Sequence, residues 1–100
     1  MSRPILLISL ALAACTSAYD AGFADGCYDG GVEGSRWGGV DAALCFDQYP
    51  DPGPVGGGPS RYDDGYVDGY EICYVDEYRY SWNITMDALA AEYGECDALL

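Results

Sequence analysis

Glycine returns at every fourth position from Gly22 through Gly26, Gly30 and Gly34 to Gly38. That spacing keeps one face of an α-helix, where residues i and i+4 are neighbours. It also keeps one face of a strand, but Gly and Asp would then fill most positions, which strands disfavour. The helix carries a penalty, because each interior glycine costs about 1 kcal/mol against alanine, or about 5 kcal/mol for the row. Only close packing offsets such a cost. Glycine at every fourth place opens a groove in which a second backbone can lie, as in small-xxx-small helix pairs. Interlocking i±4 ridges favour a crossing angle of about −50°. The rival reading is a string of Asx-Gly turns, or disorder until a partner binds.

A partner for the groove is present in the chain. Residues 19–26 and 62–69 share the pattern Tyr-Asp-x-Gly-aromatic-x-Asp-Gly, and the second copy continues into tyrosines at 62, 66, 70, 74 and 78. Both segments are expected to be helical, with tyrosines filling the notches between glycines. Residues 49–60 between them hold four prolines and four glycines and read as a loop. Beyond Tyr80, Ser81 and Asn83 offer N-caps for a third helix, whose one face is Met86, Leu89, Tyr93 and Cys96. The expected fold is all-α: a small helical hairpin with Gly-xxx-Gly packing, a C-terminal third helix and two disulfides, in a single domain over residues 19–100.

The N-terminus bears on compartment. Arg3 precedes an apolar run from Ile5 to Ala14 that closes on Leu12-Ala13-Ala14-Cys15. The run is too short to span a bilayer, which takes about 20 apolar residues. It resembles the lipobox of bacterial lipoproteins, in which Leu-Ala-small-Cys is cut before the cysteine and its sulfur carries a diacylglycerol. The resemblance implies a signal peptide over residues 1–14, a lipidated Cys15, and a short tether over residues 15–18. It also implies a place in the bacterial cell envelope, membrane-bound through lipid. Thr16 after the cysteine, rather than Asp, implies sorting to the outer membrane where there is one. Plain secretion, with cleavage after Ala18, is the alternative. The Tyr-x-x-Gly-x-x-x-Gly segments are similar to those of small lipoproteins of unknown function, a likeness that imports no activity.

With Cys15 assigned to lipid, Cys27, Cys45, Cys73 and Cys96 remain, an even number in an oxidising compartment. Within one unbroken helix Cys27 and Cys45 would stand about 27 Å apart at about 1.5 Å per residue, far beyond bridging distance. A hairpin places Cys45 near the start of the second segment, the returning third helix brings Cys96 to the same end, and Cys27 is left to pair with Cys73. A break at Gly38-Gly39 would instead allow Cys27 to pair with Cys45.

The formal net charge is −13, with 17 acidic side chains, four Lys and Arg together, and no histidine. All four cations are arginines, so the chain has no lysine either. Such a surface repels nucleic acid and anionic headgroups. Without His or Lys the usual general bases, Schiff-base chemistry and Ser-His or Cys-His nucleophiles are missing, so no enzyme activity and no cofactor are expected. Asp25, Asp29 and Glu33 at i, i+4, i+8, echoed by Asp64 and Asp68, read as a solvated acidic face or as weak candidates for a cation site, calcium being the natural oxygen-seeking ion. Tyr62, Tyr66, Tyr70, Tyr74 and Tyr78 read as the packed face of the domain or as an aromatic surface that docks a protein. The leading expectation is a non-catalytic envelope or surface interaction module with an unknown protein partner. A calcium-binding protein, or an exclusion or inhibitory factor that blocks a receptor or enzyme, are the alternatives.

Overall fold

The structure, a computed structural model, describes residues 17–94. Cys15, the apolar run before it and Cys96 lie outside the described residues. Within them the chain is all-helical, with α1 at Ala18–Ala43 and α2 at Arg61–Tyr93. Ser17 caps α1 by accepting from the Asp20 amide at 3.0 Å. Ser60 and Asp63 form a reciprocal capping box at the start of α2, with Asp63 N–H donating to Ser60 Oγ at 3.1 Å and Ser60 N–H donating to Asp63 Oδ2 at 3.3 Å. Gly94, at φ +85°, closes α2 in a conformation other residues rarely adopt.

The expected third helix is absent as a separate element. Ser81 and Asn83 sit inside α2, which runs unbroken from Arg61 to Tyr93. A capping residue starts a helix only where the chain has first left one. No Gly or Pro lies between Gly69 and Gly94 to force that. Packing also continues across the supposed break, since a Cβ on Gly39 would meet Ser81 Oγ at 3.2 Å and Thr85 Oγ1 at 3.7 Å.

The hairpin is corrected as well: the two helices run parallel. Gly22, Gly26, Gly30, Gly34 and Gly38 lie against the backbone of Tyr62, Tyr66, Tyr70, Tyr74 and Tyr78, each glycine facing the tyrosine 40 residues further on. An antiparallel pair would reverse that order. Residues 44–60 make the arrangement possible: an extended chain covers about 3.3 Å per residue, so this segment can reach about 56 Å, whereas α1 is about 39 Å long. A short connection favours a hairpin; this one is long enough to return to the starting end.

The expected glycine packing is present and tight. A Cβ on any of the five α1 glycines would lie 2.0–2.2 Å from a tyrosine carbonyl oxygen of α2. Gly65 and Gly69 reciprocate beneath the carbonyls of Tyr19 and Phe23, at 2.0 and 2.2 Å. The two copies of the shared pattern therefore clasp each other about a pseudo-twofold axis along the pair, residue n of α1 matching n+43 of α2: Gly22 lies under Tyr62 as Gly65 lies under Tyr19. A seam of period four, longer than the 3.6 of the helix, winds with a right-handed sense. Large aliphatic side chains take almost no part, and among the described residues the buried ones other than glycine are Ala42, Tyr74 and Tyr78.

Cys27 and Cys73 form a disulfide with Cα atoms 5.0 Å apart. The expected pairing holds, though for a different geometric reason. Cys73 takes the third place in the α2 row after Gly65 and Gly69 and covalently ties the parallel seam. Cys45, at φ +59°, is not a free thiol.

Candidate functional site

Two faces flank the seam. On one, Tyr62, Tyr66, Tyr70, Tyr74 and Tyr78 of α2 form a ladder beside the acidic row of α1. Ring centroids of Tyr66–Tyr70, Tyr70–Tyr74 and Tyr74–Tyr78 are each 6.1 Å apart, the last two pairs stacked at 20° and 21°. The hydroxyls reach across to carboxylates. Tyr66 donates to Asp29 at 2.7 Å, Tyr62 to Asp25, and Tyr78 to Asp41. On the opposite face Tyr19 donates to Asp68 at 2.7 Å, the pseudo-symmetric equivalent of Tyr62 to Asp25. The first tyrosine of each pattern is thus the donor to the second aspartate of the other copy.

This arrangement accounts for the acidic residues differently from either expectation. Asp25, Asp29 and Asp68 accept hydrogen bonds from phenols, Glu33 pairs with Arg36 at 3.3 Å and Asp64 with Arg61 at 3.2 Å. The weak cation candidates therefore point to separate partners, and among the described residues no three acidic or cysteine side chains converge on one point. The i,i+4 repulsion along α1 is offset by hydrogen-bond donors from α2. The pairing of first tyrosine with second aspartate was visible in the repeated pattern and was missed because each copy was treated alone.

The same contacts hold the phenols protonated. Tyr66 is pushed up to about 12 by its hydrogen bond to Asp29, then by burial and the negative charge beside it. Tyr78 is also pushed up to about 12, by burial first and the bond to Asp41 second, partly opposed by the Tyr49 N–H it accepts. Tyr70 and Tyr74 are raised by burial, and Tyr62 and Tyr19 by their carboxylate bonds.

The ladder is not a bare surface. Tyr78 is fully buried, Tyr74 is 7% exposed, and only Tyr62, at the N-terminal end, reaches 36%. Residues 46–58, without helix or strand, run back over it as a strap. Trp82 Nε1–H donates to the Phe46 carbonyl at 3.1 Å, and Tyr49 N–H donates to Tyr78 Oη at 3.0 Å, fixing one end. Asp51 turns the chain by accepting from Gly53 N–H at 2.8 Å, with Gly53 at φ +72°. Pro52, Pro54, Val55 and Gly56 then face Tyr66 and Tyr70 before Ser60 caps α2. Sequence reasoning recognised this segment as a loop and gave it no surface to cover.

The other face is open. Cys27, Tyr28, Gly31, Val32, Cys73 and Glu77 line most of a groove of about 520 Å³ beside the disulfide. By the pseudo-twofold, Gly31 and Ser35 stand where the opposite face carries Tyr74 and Tyr78, so small residues leave space there. Tyr28 is 74% exposed and Tyr80 65%. No helix among the described residues is long and apolar enough to cross a membrane.

These features define a strapped, disulfide-tied parallel pair of glycine-rich helices. No family model, curated protein or solved structure matches the chain.

Proposed function

We propose that this chain is a small, acidic, extracytoplasmic lipoprotein that serves as a non-catalytic interaction module of the bacterial cell envelope. The Cys27–Cys73 disulfide carries the reading, because structural disulfides persist outside the reducing cytoplasm. The Leu12-Ala13-Ala14-Cys15 lipobox supplies the anchor and an envelope location, by Thr16 the outer membrane. Cys15 stands three residues before Ala18, the first residue of α1, so the helix pair would begin close to the bilayer. Cys45 pairs with Cys96 in this reading, completing two bridges. The side chains along the pair support binding rather than catalysis: Asp25, Asp29, Asp41 and Asp68 are engaged by phenols and Glu33 and Asp64 by arginines, while apolar residues such as Tyr28, Ile72 and Tyr80 stand exposed.

Labelling cells with a fatty-acid analogue tests the anchor. The unchanged chain should take up label and fractionate with membranes, and Cys15→Ser should abolish both. A soluble species whose N-terminus is Tyr19 would overturn the lipoprotein reading. Non-reducing peptide mapping of the same material should yield the Cys45–Cys96 peptide pair.

A further inference from the structure

The strap shows what chemistry the tyrosine ladder accepts. Proline-rich polypeptide docks on aromatic-lined surfaces because its backbone is pre-ordered and its rings pack flat on aromatic faces. Here Pro52 and Pro54 line one small cavity together with Tyr66 and Tyr70. The strap is fastened at its ends, by Trp82 and Tyr78 on one side and the Ser60 capping box on the other. Its middle is held differently. Among the described residues no hydrogen bond joins residues 52–58 to either helix, and a gap of about 230 Å³ remains between Pro52, Pro54, Val55, Gly56 and the two rings. The surface also has a charged margin, Asp25, Asp29 and Glu33 of α1, which suits an occupant with basic flanks.

We propose that the tyrosine ladder of α2 is a docking surface for proline-rich, extended polypeptide, which the chain's own strap occupies in cis and which a proline-rich, basic-flanked segment of a partner protein takes by displacing the strap. The proposal deepens the interaction-module reading and rests on it only for its cellular setting. The seam between α1 and α2 is built from backbone and glycine, so moving the strap leaves the helix pair intact.

The test uses the full chain with Pro52→Gly and Pro54→Gly, which loosens the strap, and as probe a capped synthetic peptide of residues 49–60. A saturable change in tyrosine fluorescence is expected, with at least tenfold tighter binding than to the unchanged chain. A peptide with glycine at every proline should bind at least tenfold more weakly. Adding Tyr70→Ala should abolish binding, and Tyr70→Phe should keep it. The idea is overturned if the loosened chain, still helical, does not bind, if the all-glycine peptide binds equally, or if Tyr70→Ala changes nothing. Should the double variant lose helicity, Pro52→Gly alone, at the half-buried position, gives the same comparison. Failure here leaves lipid labelling at Cys15 untouched, so the two readings fall separately.

Discussion

At Gly30 a single hydrogen stands where any other residue would put a carbon 2.2 Å from the Tyr70 carbonyl. The obstruction is backbone, which cannot swing aside as a side chain would. Gly56, in the strap, has open space around its missing Cβ. The same substitution therefore has opposite consequences at the two positions. Gly30→Ala should lower stability by about 3 kcal/mol despite alanine's better helix propensity, and Gly56→Ala should be neutral or slightly stabilising. Thermal melts of the two variants decide this; equal melting temperatures would mean the seam is looser than described. The helix penalty of the glycine row is thus offset at the seam, where Cα–H···O contacts and continuous dispersion replace side-chain packing.

Across each element, the tyrosine–aspartate pairs tie stability to pH on the alkaline side. A phenol whose pKa is higher folded than unfolded stabilises the fold in full below its ordinary value of about 10, and loses that contribution as pH rises through the folded value. For Tyr66 and Tyr78 that value is about 12. Phenolate absorbance should therefore show a late-titrating group of tyrosines, accompanied by loss of helical circular dichroism between about pH 10 and 12. Tyr66→Phe should remove one late phenol; unchanged titration would sink the Tyr66–Asp29 pairing. The glycine row and the repeated pattern told of helices and their packed faces, while the Cys27–Cys73 bridge was reached through a hairpin that the parallel order replaces. Their direction was hidden, because a stripe of period four is the same stripe read either way. The loop's length, rather than its composition, held that information, since only a long segment can return beside the ladder. The end of α2 was misjudged because good capping residues at 81 and 83 say where a helix can begin, while the contacts of Gly39 with Ser81 and Thr85 decide that one continues.

For the whole molecule, parallel and antiparallel packing make opposite distance predictions. Spin labels at Val40 and Ile84 should sit on adjacent helices at the same level, whereas labels at Asp20 and Ile84 should be separated by at least about 30 Å along the axis. A hairpin would invert the two results. The pair places both helix N-termini together, so their macrodipoles align unfavourably, and neither helix has a basic residue in its last turn to relieve it. The reciprocal glycine–carbonyl contacts and the disulfide hold the pair against that.

The parallel order also sets how the molecule would bear load. A pull applied between the start of α1 and the end of α2 acts along the seam, so every glycine–tyrosine rung resists at once, in shear. A hairpin, with both ends on one side, would be peeled rung by rung. Drawn out from those two points under reducing conditions in a single-molecule force measurement, the chain should give way in one high-force event. A staircase of small ones would mean that the rungs do not share the load.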